Sequence, residues 1–339
     1  MKKTLILIKK TIFWKLFLKY FFIKFYNFFW ENIINFQGKV LYFQWRSKKK
    51  AYYELNNNDK LLVLDDPKIK QLANKIKLYV NEDIKNKYKN IVKNKIKSEE
   101  YNQFNDYRIS IYDEINDDLK KEIIDLASSE KILNTAVNYL KVFPIIGKIA
   151  LYMNFPVLNS NEKGAMLWHK DDFGYKSLDL FIAITDINEN NGPLYFVKPK
   201  NSLGVFHKIT QVVKNAKPGE RNKVKLDIFR KYYKDELTDK LSGKCGSSLF
   251  IDSFTSYHRG GYCLTDDRIM LRISYQTPDA SRVQNLDHSN GFYYLKTIKK
   301  ENLGKFQSYI FFKKLNFVFR SINLPEMLLK LYSFLHFKA

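Results

Sequence analysis

Gly164–Val197 reads GAMLWHKDDFGYKSLDLFIAITDINENNGPLYFV, and the meaning of Trp168-His169-Lys170-Asp171 within it decides how the rest of the chain is read. Side chains on a β-strand alternate between faces, so His169 and Asp171 project to the same side. An imidazole and a carboxylate held together in this way can share one metal ion. A second imidazole arrives downstream in Tyr257-His258-Arg259-Gly260-Gly261. Two histidines and one carboxylate leave adjacent coordination positions open. That suits a non-haem Fe(II) centre, which must bind a cosubstrate and O2 at one ion. Zinc accepts the same ligands, so residue types alone do not name the metal.

Short apolar runs surround the pair. Gly147–Val157, Ala165–His169, Ser177–Thr185, Pro193–Pro199, Ser247–Asp252 and Ile269–Thr277 read as strands, separated by turns such as Asn190-Asn191-Gly192-Pro193. Upstream, residues 51–140 read as mainly helical. Asp66-Pro67 supplies a cap and a first turn, and Ile69, Leu72, Ile76 and Val80 follow at helical spacing. Asp117 or Asp118 opens a second helix and Ser128 or Ser129 a third. The Lys/Asn-rich segment from Asn81 to Asn105 reads as a solvated helix or loop. A helical layer followed by many short strands predicts an α+β fold with a β-sandwich or barrel core. Val205–Lys244 is a polar, basic excursion within that core, of the kind that forms a lid or an inserted helical piece. The chain therefore divides into a basic aromatic helical segment (1–50), a helical layer (51–145), a β core (146–280) with the insertion at 205–244, and a second basic aromatic helical segment (281–339).

Taken together, WHKDD, LDLFIAITDINENNGPLYFVKPKNSLG, SLFIDSFTSYHRGG and DDRIMLRISYQTP resemble the phytanoyl-CoA dioxygenase-like Fe(II)/2-oxoglutarate oxygenases over residues 149–278. The resemblance implies a double-stranded β-helix (jelly-roll) core, with His169, Asp171 and His258 as the iron ligands and catalytic centre. It implies Fe(II), 2-oxoglutarate as cosubstrate, and O2. The expected reaction is hydroxylation of a small molecule or a lipid- or sugar-linked substrate, with succinate and CO2 as co-products. The intact Asp171 favours this over halogenation, where a small residue replaces the carboxylate. An arginine on the strand after the distal histidine is expected to grip the far carboxylate of 2-oxoglutarate, since a guanidinium fork binds both oxygens. Arg268 is preferred, although it lies one residue short of the usual spacing. Arg272, which begins Arg-Ile-Ser, shares its strand parity. Tyr152 and Asn154, on the strand before the site, are candidate lining residues of the same pocket. Lys198-Pro199-Lys200-Asn201-Ser202 departs from the family's Pro-Gly-Ser-His turn. The alternative is a non-catalytic or zinc-binding jelly roll acting as a membrane-surface module. Trp168 faces away from His169 and is expected in a core. His207, His288 and His336 have no partner at ligand spacing, and Asp172 reads as a neighbour of the site.

The 339 residues carry a formal charge of +23, and the basic excess sits at the two ends, where residues 1–50 hold a single acid, Glu31. Lys15, Lys19 and Lys24 interrupt every window long enough to span a membrane. Dense Phe, Tyr, Trp and Lys suit either a helix in the interface of an anionic membrane or packing within the protein. No nucleic-acid motif accompanies them. Two cysteines, Cys245 and Cys263, do not make a disulfide framework and fit a reducing compartment. The expected setting is cytoplasmic, with peripheral contact to a membrane's inner face. Lys208, Lys214 and Arg221 in the insertion are available to anions.

Overall fold

The computed structural model describes residues 38–39, 42–43, 53–55, 60–100, 106, 108–156, 164–171, 176–197, 223–224, 226–233 and 238–277. The readings of the two basic aromatic ends, of His207, His288 and His336, of Asp172, and of Lys208, Lys214 and Arg221 lie outside the described residues. No helix among the described residues is long and apolar enough to cross a membrane.

The helical layer follows from local chemistry. Helix α1 (Pro67–Tyr79) starts where Asp66 accepts the Lys68 amide at 2.9 Å with Pro67 in the first turn, and it buries Ile69, Leu72, Ala73 and Ile76. Helix α2 (Glu82–Lys97) is the solvated one: Val92 is its single buried residue. Its lysines pair outward, Lys87 with Glu114, Lys89 with Asp267 and Lys95 with Asp106. Helix α3 (Asp117–Ala127) is capped by Asn116, whose side chain accepts from the Leu119 amide at 2.9 Å, rather than opened by either aspartate. Helix α4 (Glu130–Leu140) begins after Ser129, but that hydroxyl turns back to the Leu126 carbonyl at 2.7 Å and caps nothing.

Two antiparallel sheets form the core. The six-stranded sheet runs β1 (Leu61–Leu64), β9 (Ser248–Ile251), β5 (Ser177–Ala183), β11 (Arg268–Gln276), β3 (Ile145–Asn154), β2 (Arg108–Ser110). The five-stranded sheet runs β7 (Lys223–Val224), β4 (Trp168–His169), β10 (His258–Gly260), β6 (Leu194–Val197), β8 (Thr238–Leu241). Phe181, Ala183, Leu249, Ile251 and Met270 from the first sheet meet Leu194, Phe196 and Leu241 from the second, so the sheets face each other across a shared apolar cluster. Strands β1 and β2 sit within the segment read as helical. At four and three residues they are too short to show a period, and they are recruited as edges by β9 and β3. Ala165 and Met166 are in a 3-10 turn rather than a strand, which leaves β4 only Trp168 and His169. The insertion also holds more than an excursion: helix α5 (Leu226–Tyr232) packs Phe229 beneath Trp168, and β8 extends the sheet beside β6.

The Asn190–Pro193 turn fixes one end of the sandwich. Gly192 has φ +72, and a Cβ there would lie 2.4 Å from the Tyr262 carbonyl oxygen. Gly261 packs back just as closely, its Cβ position 2.6 Å from the Pro193 carbonyl, and its amide donates to that oxygen at 2.7 Å. Two connections that cross between the sheets, β5–β6 and β10–β11, thus meet backbone to backbone just before β11 begins. Gly192→Ala combines a left-handed backbone with a clash against rigid main chain. It is expected to cost about 2–5 kcal/mol in urea denaturation, whereas Gly260→Ala, whose nearest neighbour is the mobile tip of Arg268 at 3.2 Å, should cost much less.

Candidate metal centre

His169 and His258 are direct cross-strand partners on β4 and β10, with ring centroids 4.3 Å apart. Phe196 is the other partner of His258, which puts both imidazoles on the inner face. Asp171 follows β4, its amide donating to the Ser253 carbonyl at 2.9 Å. The ligand atoms of His169, Asp171 and His258 all lie within 4.8 Å of one another, and all three residues are buried. Each ring is oriented by a backbone carbonyl: Nδ1 of His169 lies 2.7 Å from Leu167 O, and Nδ1 of His258 lies 3.2 Å from Ser256 O. With Nδ1–H donating, Nε2 carries the lone pair, and both Nε2 atoms face the carboxylate, at 3.9 Å from Asp171 Oδ1 and 3.7 Å from Asp171 Oδ2. Trp168 and Lys170 point the other way, the indole stacked on Phe229 at 4.3 Å and the ammonium 4.7 Å over the Tyr257 ring.

The facing sheet supplies the charges. Arg272 on β11 donates from Nη2 to Asp171 Oδ2, and it binds Asp179 on β5 twice, from Nη2 at 2.7 Å and Nε at 3.1 Å. Ser274 also donates to Asp179. Burial acts to raise the Asp171 carboxyl, but Arg272, then His258 and His169, outweigh it and hold it well below the usual carboxylate range. Burial, reinforced by His258, holds His169 down to about 3, so the ring is neutral and ready to ligate at neutral pH.

Arg268 and Arg272 share one face, as their parity requires, but they do different things. Arg272 is engaged by two carboxylates, whereas Arg268 donates from Nη1 to the Gly261 carbonyl at 3.3 Å. Asn154 is the cross-strand partner of Arg268, and Tyr152 that of Met270, so both line the same inner face. The Tyr152 hydroxyl is buried with no hydrogen-bond partner. Arg108 lies 4.3 Å over its ring and Lys148 5.4 Å away. Burial raises this phenol, yet Arg108, Lys148 and Arg272 outweigh burial and leave it lowered. Asp179, Ser274, Lys148 and Arg108 were not among the residues singled out from the sequence. The available signal was Asp179 itself, a lone acid inside Ser177-Leu178-Asp179-Leu180-Phe181-Ile182, matched by Arg272 inside another apolar run.

No family model matches the chain, and no curated protein matches it. Among solved structures, it is similar to the non-heme alpha ketoglutarate dependent carbocyclase SnoK from nogalamycin biosynthesis (10% identity, 66% of this chain and 81% of that one, TM-score 0.37). It is also similar to EctD from S. alaskensis in its apoform (14%, 65% and 74%, 0.41). A third is the epimerase SnoN in complex with Fe3+, alpha ketoglutarate and nogalamycin RO (13%, 65% and 79%, 0.35).

A pH dependence follows for the metal-free protein. The unfolded chain protonates His169 near its ordinary value of 6.5, whereas the folded chain does so only at about 3. Stability is therefore full above about 6.5 and is lost as pH falls through that window, with a slope of up to about 1.4 kcal/mol per pH unit from this one proton. Urea denaturation in chelator at successive pH values should show the slope, and His169→Gln should flatten it.

Proposed function

We propose that this chain is an Fe(II)/2-oxoglutarate-dependent oxygenase of the phytanoyl-CoA dioxygenase-like kind, built on a double-stranded β-helix and hydroxylating a small-molecule substrate. The observation that carries the proposal is the convergence of two Nε2 atoms and one carboxylate between facing sheets, with both Nδ1 atoms tied to backbone carbonyls. The strand order supports the fold reading. Four strands of one sheet, β9-β5-β11-β3, face four of the other, β4-β10-β6-β8, with the chain crossing between sheets at nearly every step.

The residues fit the implied groups. Three donors on one side of an ion leave positions for a bidentate cosubstrate and O2. A dicarboxylate suits the inner wall, where Arg268 pairs across the strands with Asn154 and Tyr152 follows on the same face with a buried hydroxyl. When bound, iron and 2-oxoglutarate would supply the activation of dioxygen and the oxidising power. The chain's own part is to hold two imidazoles and an ionised carboxylate in place, to bind the far carboxylate through Arg268 with Tyr152 and Asn154 alongside, and to keep the site out of bulk water. A zinc-binding, non-catalytic jelly roll is the second reading, favoured only by zinc's acceptance of the same ligand set. Contact with an anionic membrane through the basic ends remains part of the proposal and rests on sequence composition alone.

Purified protein with Fe(II), ascorbate and 2-oxoglutarate should form succinate without added substrate, and His169→Ala should abolish it. Tight zinc retention with no binding of 2-oxoglutarate would favour the second reading. Arg268→Gln should weaken anaerobic 2-oxoglutarate binding about 10- to 100-fold, as expected for loss of a charge-assisted pair worth about 1.5–3 kcal/mol, and Tyr152→Phe should weaken it less.

A further inference from the structure

We infer that Arg272 and Asp179 are positioning residues for the Asp171 carboxylate, holding one of its oxygens and leaving the other to the metal. The inference rests on the metal-centre reading above. Asp171 comes from the sheet that carries both histidines; Arg272 and Asp179 come from the sheet opposite. Arg272 Nη2 donates to Asp171 Oδ2, and Oδ1 accepts no hydrogen bond from any described residue. Oδ1 also lies 3.9 Å from His169 Nε2, while Oδ2, the oxygen that Arg272 holds, lies 3.7 Å from His258 Nε2. A carboxylate held in this way offers one oxygen rather than two, and its plane cannot rotate.

Asp179 has a separate task. Asp179 is fully buried and takes two hydrogen bonds from Arg272 and one from Ser274. A guanidinium facing Asp171 alone could pair with both its oxygens, since fork-to-fork geometry is the preferred arrangement. It would then compete with the metal for the ligand. Two bonds to Asp179 turn the fork aside, so Arg272 presents one N–H to Asp171. Arg272 is consequently occupied, which separates it from the carboxylate-binding role that Arg268 is proposed to fill.

The full-length, metal-free protein would be titrated with Co(II), following affinity, the visible absorption of the bound ion and thermal stability. Wild type should bind one equivalent. Arg272→Gln should weaken binding about 10- to 100-fold, the usual effect of losing an outer partner of a metal ligand, and should alter the Co(II) spectrum as the carboxylate turns. Asp179→Asn should also weaken binding, because the fork is released onto Asp171. The Arg272→Gln/Asp179→Asn double variant, which removes both buried charges together, should recover stability yet keep the altered spectrum and weak binding. Where Arg272→Gln does not fold, Arg272→Lys carries the comparison: its ammonium keeps the charge but lacks the planar fork that fixes one N–H on Asp171 while two bonds go to Asp179, and the spectrum should still change. Wild-type affinity and spectrum in the double variant or in Arg272→Lys would overturn the inference and reduce the pair to fold stabilisation. A wild type that takes up no Co(II) would instead overturn the metal-centre reading, and this inference with it.

Discussion

Between the two sheets a single guanidinium is shared by two carboxylates, one from each sheet. Charges removed from water are costly unless paired and fully hydrogen-bonded. Asp179 could not sit at zero exposure in an apolar wall without Arg272, nor Arg272 without both acids. The same contact fixes the sheets relative to each other at the level of the candidate ligands, which an apolar cluster alone would locate less sharply. An ion pair of this kind is weak evidence for stability, and its geometry is better understood as what the site requires of the fold.

The turn between β9 and β10 relays the helical layer to the same place. The Tyr139 hydroxyl on α4 donates to Asp252, which also accepts from the Thr255 amide at 2.9 Å. Asp252 opens the turn whose Ser253 carbonyl takes the Asp171 amide and whose Ser256 carbonyl orients His258. Two of the three candidate ligands thus hang on one short segment pinned from outside the sandwich. The helices are therefore more than a cover for the six-stranded sheet.

How much of this was legible beforehand varies with the kind of signal. The His-x-Asp pair was readable as a spacing, although Asp171 lies past the end of β4, where its amide is tied to the Ser253 carbonyl and strand parity no longer applies; the Asp66-Pro67 start of α1 was readable because capping is local. The pairing of His258 with His169 depends on the register of β4 and β10, two and three residues long, which no periodicity could encode. Strands β1 and β2 escaped for the same reason. Arg268 and Arg272 share one face as parity requires, but their different partners were not readable, because Arg272's depend on Asp179, which is near Asp171 in sequence yet stands on the facing sheet. Burial of a lone acid inside an apolar run was the clue that parity reasoning passed over.

The backbone-to-backbone contact at Gly192 and Gly261 has a consequence for how such a scaffold can change. At Gly192 and Gly261 that end of the sandwich has no room for even one methyl group, so lengthening either crossing connection would displace the start of β11 and Arg268 with it. Register places the β9–β10 connection at the opposite end, beside the triad, where β6 ends and β5 begins. Changes of length that leave Arg268 in place would therefore be confined to that opposite end, while the sealed end stays constant.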